Sequence, residues 1–348
     1  MDMINHKPLV AIHCLVYNHE PYLRDCFEGF VMQQTNFPFV AIVHDDASTD
    51  GSAAIIREYE KKYPDIIKPI YETENQYSKH DGSLGRIMNA AIEATGAKYV
   101  AMCEGDDYWT DPQKLQKQVD FMEANPEYGL CYTDYSVCDE FGNITEESHF
   151  KTSQRKPILT FEEHLFSQGY IAPMTWLFRK DVYTSITNDM IQGTTDGTYV
   201  LALEFFAKSK VAYLFDTTAT YRVHQGSASR PLSLSALFRY RKGVYDIEFE
   251  YIKRYTKNQW YFYFVLQQSI NELYPIAVEL QDTEYIDWCH KICKKYPLVN
   301  IQIPQSIVYL KADAKNARSS HAYRLGKILL KPLSWGQKLL KRNKFYAL

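Results

Sequence analysis

Three carboxylates stand within four residues in Glu104-Gly105-Asp106-Asp107, directly after an apolar run at residues 98–103. Like charges packed this closely repel one another, and a divalent cation relieves the repulsion. Hard oxygen ligands with positions left open suit Mn²⁺ or Mg²⁺ shared with the diphosphate of a substrate. The plainer alternative is an acidic turn capping the next helix, but Asp111-Pro112 already offers that helix an N-cap and an N1 proline. A second cluster, Asp45-Asp46-Ala47-Ser48-Thr49-Asp50, follows another apolar run. Asp50 or Ser48 can cap a helix there, and two adjacent aspartates exceed what a cap requires. A carboxylate in that place can accept the imide N–H of uracil or thymine, or an amine of guanine. Lys79, His80, Gly82, Ser83, Gly85 and Arg86 bring small residues and cations to a helix start, which makes either a phosphate cradle or a surface loop.

The surrounding pattern must position these groups. Residues 9–16 are rich in Val, Ile and Leu and read as a buried strand. Tyr17-Asn18-His19-Glu20-Pro21 breaks it, and residues 22–34 carry helical spacing through Leu23, Phe27, Phe30 and Val31. Further strands are predicted at 39–43, 66–71, 98–103 and 129–137, alternating with helices at 52–63, 84–94 and 112–124. This alternation predicts an α/β fold, a mostly parallel sheet flanked by helices. Ligands of open α/β sheets sit at the carboxyl ends of strands, where both acidic clusters fall. No Gly-x-Gly-x-x-Gly follows the first strand, which argues against a dinucleotide site.

Charge divides the chain of 348 residues. Residues 1–230 hold 20 Lys/Arg against 33 Asp/Glu, whereas 231–348 hold 19 against 9, so two regions with different tasks are expected. The first is read as the catalytic domain, 1–230, and the second as a helical C-terminal region, 231–348, with aromatics recurring through 235–296. The seven cysteines form no Cys-x-x-Cys pair and read as reduced, buried thiols; Cys289-His290 with Cys293 reads as a helix face rather than a metal site. The first residues lack signal-peptide character and no run of apolar residues is long enough to span a bilayer, so a cytoplasmic protein is expected.

Taken in order, Val10-Ala11-Ile12-His13-Cys14-Leu15-Val16-Tyr17-Asn18, Val43-His44-Asp45-Asp46-Ala47-Ser48-Thr49-Asp50-Gly51-Ser52, Tyr99-Val100-Ala101-Met102-Cys103-Glu104-Gly105-Asp106-Asp107 and Pro112-Gln113-Lys114-Leu115 resemble the family 2 glycosyltransferases of the bacterial surface-polysaccharide type. The resemblance runs from about residue 8 to 229. It implies the Rossmann-like GT-A fold, a nucleotide-sugar donor, a divalent metal and inverting transfer to a hydroxyl. It implies that Tyr17 stacks on the base and Asp46 pairs with it, with Asn18 and Glu20 nearby; Arg86, from the cation-bearing segment before the helix start, is counted with these donor contacts. Tyr17 and Asp46 favour UDP. Asp106 would meet the ribose or the metal, and Asp107 would ligate the metal. Glu104, where many members carry the first Asp of a DxD motif, would support these ligands from behind. Asp196, in Thr194-Thr195-Asp196-Gly197-Thr198-Tyr199, matches the general base, although an Asp before the helical run 200–208 also reads as an N-cap. Arg222 and His224 lie in a Tyr-Arg-x-His segment whose members face the diphosphate, and His224 joins the metal set. Trp176 falls near the acceptor, and Trp109 beside the acidic cluster. The expected reaction is a single displacement with the 71–83 loop as lid.

Two other classes share part of this pattern. A nucleotidyltransferase shares acidic metal sites but usually has a Gly-rich basic loop after the first strand, where this chain has Tyr17-Asn18-His19-Glu20-Pro21. A non-catalytic sugar-nucleotide-binding protein does not need all three acidic elements. Residues 315–348 hold nine Lys/Arg and no acid. On a helical wheel the cations gather on one side and Leu, Ile and Trp on the other, which suits an anionic membrane surface or, alternatively, a solvated tail on the acidic domain. An acidic catalytic domain argues against nucleic acid.

Overall fold

The apolar run near the N-terminus forms β1 (Val10–Val16), followed by α1 (Leu23–Val31), β2 (Phe39–Asp45), α2 (Ser52–Lys62), β3 (Ile67–Tyr71), α3 (Ser83–Thr95) and β4 (Tyr99–Met102). A computed structural model of the chain describes residues 7–79, 81–152, 155–167, 171–187, 190, 194–224 and 233–301. His80 and the basic tail, 315–348, lie outside the described residues. The chain divides into two compact units, residues 1–269 and 270–348. The first continues through β5 (Tyr108–Trp109), α4 (Lys114–Ala124), β6 (Tyr128–Cys138), β7 (Ile144–Glu146), α5 (Phe161–Ser167), β8 (Leu177–Arg179), α6 (Lys180–Thr187), α7 (Gly197–Lys208), β9 (Lys210–Arg222) and α8 (Leu234–Tyr255). Helix α9 (Gln259–Leu280) crosses the division, and α10 (Thr283–Lys295) follows.

One sheet has the order β3-β2-β1-β4-β8-β6-β9-β5, with β7 paired to β6. β3, β2, β1 and β4 are parallel, as their alternation with helices requires. β8 runs against both β4 and β6, β9 is parallel to β6, and β5 runs against β9, so the sheet as a whole is mixed. The reversal falls on a strand of only three residues, too short to show a period. Backbone bonds continue past β4, from Cys103 N to His13 O at 3.1 Å and from Gly105 N to Leu15 O at 2.9 Å. The acidic loop is therefore held level with the end of β1.

Trp109 anchors that loop from below. Its side chain is 2 % exposed, its Nε1 donates to Met174 O at 2.8 Å, and its ring lies 5.0 Å from that of Phe30. The ammonium of Lys114 sits 4.4 Å from the Trp109 ring centre and donates to Gln118 Oε1 at 2.6 Å. Burial pushes this lysine down to about 7. Trp176 is also fully buried, its Nε1 donating to Ile171 O at 3.2 Å. Neither tryptophan presents a face to an acceptor, which corrects the sequence expectation for both: a large apolar ring with one N–H is satisfied in the core by a single carbonyl. Helix α4 begins at Lys114, and Asp111 instead accepts from Gln113 N at 2.8 Å in the turn before it. All seven cysteines are free, and six are buried.

In the second unit α10 is N-capped by Asp282, which accepts from Tyr285 N, and buries Cys289. Among the described residues no helix is long and apolar enough to cross a membrane, and no three His, Cys, Asp or Glu side chains form a self-sufficient metal cage.

Helix α1 presses Gly29 against Trp109: a β-carbon there would lie 2.8 Å from Trp109 N and 3.0 Å from its O. Gly29→Ala is expected to destabilise the fold by about 1–3 kcal/mol, because the obstacle is backbone. An unchanged urea midpoint would show that α1 and the acidic loop separate without cost.

Candidate active site

The cluster after β4 meets the end of β9 and the loop after β1. Asp106 Oδ2 lies 2.9 Å from His224 Nε2 and 4.0 Å from His19 Nε2, so two imidazoles converge on one carboxylate oxygen. Asp106 Oδ1 is buried with no hydrogen-bond partner. Asp107 Oδ1 accepts from Arg222 N at 2.8 Å, and the Arg222 side chain donates to Asp106 O at 3.1 Å and to Asp25 Oδ2 at 2.7 Å. The guanidinium is wedged between rings, 4.8 Å from the centre of Tyr22 and 5.2 Å from that of Tyr108. Gly105 is glycine for a local reason: a β-carbon would lie 2.8 Å from His19 Nδ1.

The three carboxylates divide by environment. Burial opposes ionisation of Asp106, but the His224 hydrogen bond and the two imidazoles hold it below the usual carboxylate range. Burial, with the Asp106 charge beside it, pushes Asp107 up despite the Arg222 amide. Burial also pushes Glu104 up to about 8, with Asp106 and then Asp196 adding to the effect. Glu104 thus feels the carboxylates on both sides of it.

Asp196 caps α7, its Oδ1 accepting from Tyr199 N at 2.8 Å, so the capping reading of this residue is correct in geometry. Its Oδ2 accepts from the Tyr240 hydroxyl at 2.8 Å. Each oxygen of Asp196 therefore accepts one hydrogen bond.

On the donor side the partners differ from expectation. The Asp46 carboxylate accepts from Gln76 N at 2.6 Å and from Tyr77 N at 3.0 Å, and the residue is buried. In this structure it holds the segment after β3 rather than standing open for a base. Asn18, at φ 56°, accepts from Thr49 N at 2.8 Å, and Glu20 accepts from Gly51 N at 2.7 Å. These two side chains tie the loop after β1 to the loop after β2. Arg86 bends back to Asp81 O at 2.7 Å and is exposed. Tyr17 is 46 % exposed and Tyr77 is 57 % exposed.

Sequence reasoning noted His19 only as part of a loop and gave no role to Tyr22, Asp25 or Tyr240. His19 had a signal, since it precedes the helix after β1. Tyr240 had none, being one of many aromatics in a helix read as a separate region.

Residues 12–186, half of the chain, match glycosyl transferase family 2. The chain belongs to this family. The strand-end carboxylates, Asp45, Asp46, Glu104, Asp106 and Asp107, lie within the family's matched span. An uncharacterised protein of Mycobacterium tuberculosis (strain H37Rv) is 32 % identical over 217 residues, covering 62 % of this chain and 59 % of the relative. The family member TuaG of Bacillus subtilis, provisionally named a teichuronic acid biosynthesis glycosyltransferase, is 34 % identical over 140 residues, 40 % of this chain and 52 % of TuaG. The chain thus spans between half and two thirds of these relatives. Among solved structures, the mannosyltransferase PcManGT from Pyrobaculum calidifontis, in complex with GDP-Man and Mn²⁺, shares the fold over 98 % of this chain and 89 % of its own, with TM-score 0.55 and 13 % identity. Residues 1–349 of S. aureus TarS, solved with UDP-GlcNAc, superpose over 75 % of this chain and 71 % of theirs, with TM-score 0.53 and 16 % identity.

Glu104 yields a test. Its proton is held to about pH 8 when folded but lost near 4.5 when unfolded, so its contribution to stability falls as pH rises between those values. In EDTA, Glu104→Gln is expected to raise the melting temperature by a few degrees at pH 8, roughly 1–2 kcal/mol, and much less at pH 5. Equal shifts at both pH values would count against the buried-acid assignment.

Proposed function

We propose that this family member is an inverting transferase that moves a sugar from a nucleoside-diphosphate donor, a UDP-sugar first, to a hydroxyl of a saccharide or lipid-linked acceptor. The observation that carries the proposal is the cluster after β4, where His224 and His19 converge on Asp106 Oδ2 and the buried Asp106 Oδ1 has no hydrogen-bond partner.

A Mn²⁺ or Mg²⁺ ion fits the residues present. Asp106 Oδ1 is a buried oxygen without a partner, and Asp107 is a buried acid whose charge needs compensation. Asp106, Asp107 and His224 would hold the ion, with diphosphate oxygens completing its shell. The ion would supply neutralisation of charge on the departing diphosphate. Asp196 removes the proton of the acceptor hydroxyl as its oxygen attacks the anomeric carbon, while the bond from that carbon to the diphosphate oxygen breaks. Only one general base is needed, since the leaving group departs as an anion.

The donor class is supported by the nucleotide sugars bound in TarS and PcManGT, and uracil in particular by exposed Tyr17 and by Asp46. A base that engages Asp46 would displace Gln76 and Tyr77, making the segment after β3 the lid. Residues 1–230 are read as the transferase domain and 231–348 as the helical region that follows. The tail 315–348 is assigned to an anionic membrane surface on the cytoplasmic side, which suits a lipid-linked acceptor of surface-polysaccharide assembly.

Three measurements bear on this reading. In a thermal-shift panel of UDP-, GDP- and dTDP-sugars with and without Mn²⁺, metal-dependent stabilisation by the UDP class is expected; no metal-dependent shift with any of them would remove the central claim. Asp196→Asn should lower kcat by about 10²–10⁴-fold with donor affinity intact, and turnover surviving the change would exclude it as the base. Deletion of 315–348 should abolish co-sedimentation with phosphatidylglycerol vesicles, whereas undiminished binding would move the membrane contact elsewhere.

A further inference from the structure

Helix α8 begins beyond the segment that resembles the family, yet it reaches the candidate base. Tyr240, near its start, donates its hydroxyl to Asp196 Oδ2 at 2.8 Å. Three residues on, and so on the same side of the helix, Gly243 faces Thr195. A β-carbon at Gly243 would overlap Thr195 Oγ1 and lie 2.7 Å from its Cβ. The backbone of α8 is therefore pressed against the residue preceding Asp196. The contact extends along α7, where the Tyr251 hydroxyl donates to Glu204 Oε1 at 2.7 Å. Asp196 is thus held on both oxygens, Oδ1 by the Tyr199 amide on its own helix and Oδ2 by a hydroxyl from another element.

We infer that Tyr240 is a positioning residue for the general base, fixing the rotamer of Asp196, and that Gly243 is the close-approach point that lets α8 deliver it. The inference rests on the reading of Asp196 as base. A carboxylate held by two donors has a restricted direction of approach to the acceptor proton.

Tyr240→Phe keeps the ring and removes the hydroxyl. Release of nucleotide from UDP-glucose, UDP-N-acetylglucosamine and GDP-mannose to water is expected to slow about tenfold in kcat with donor KM within about twofold. Gly243→Ala, which keeps the hydroxyl but forces α8 away from Thr195, should reproduce that split. A merely structural contact would lower the melting temperature and leave kcat, read well below the melting range, where it is, which would overturn the inference. Failure of the underlying reading looks different. If Asp196→Asn retains turnover, the base assignment falls and the role of Tyr240 falls with it. If Asp196→Asn is inactive while Tyr240→Phe keeps full kcat, only the positioning role is lost.

Discussion

Mutual repulsion among Glu104, Asp106 and Asp107 is the constraint around which the first unit is organised. Three carboxylates at a buried strand end are tolerable only with compensation. The chain supplies it from distant elements: an imidazole from beyond β9, another from the loop after β1, and the backbone amide of Arg222. Each requires a strand end to arrive at the right level. The parallel pairing of β1 with β4 and the antiparallel pairing of β5 with β9 provide this. The core beneath follows from the same need. Trp109 and Gly29 clamp the acidic loop to α1, so the carboxylates cannot relax outward into water.

Much of this was legible in the sequence. The four strands with continuous apolar runs, the helices between them and the acidic strand ends all follow from period and composition, and the β1–β4 half of the sheet is as expected. β8 was not legible, because its neighbours define it and its own residues carry no period. Asp46, Asn18 and Glu20 were read as donor contacts, but short polar side chains in adjacent loops satisfy backbone amides first. Trp176 falls near the acceptor by its place in the sequence, and apolar area decides otherwise. His19 and Tyr240 could not be assigned because their importance lies in what stands opposite them, which a linear pattern does not encode.

The division of labour between loops and helices is also informative. The loops after β1 and β2 are bound to each other through Asn18, Glu20, Ser48 and Asp50, a web of side chain to backbone bonds. The surroundings of Asp196 are built instead from long helices with aromatic and buried ionic contacts.

Lys114 has a further consequence when set beside Glu104. An amine with a folded pKa of about 7 and an unfolded value near 10.5 costs the fold most in acid, and the cost is relieved as pH rises through that interval. Glu104 does the reverse between 4.5 and about 8. Between about pH 7 and 8 the two shares oppose one another, the Glu104 share still falling while the Lys114 share rises. A cation that neutralised the carboxylates would offset the Glu104 share alone, so the two buried groups would then answer to different solution conditions.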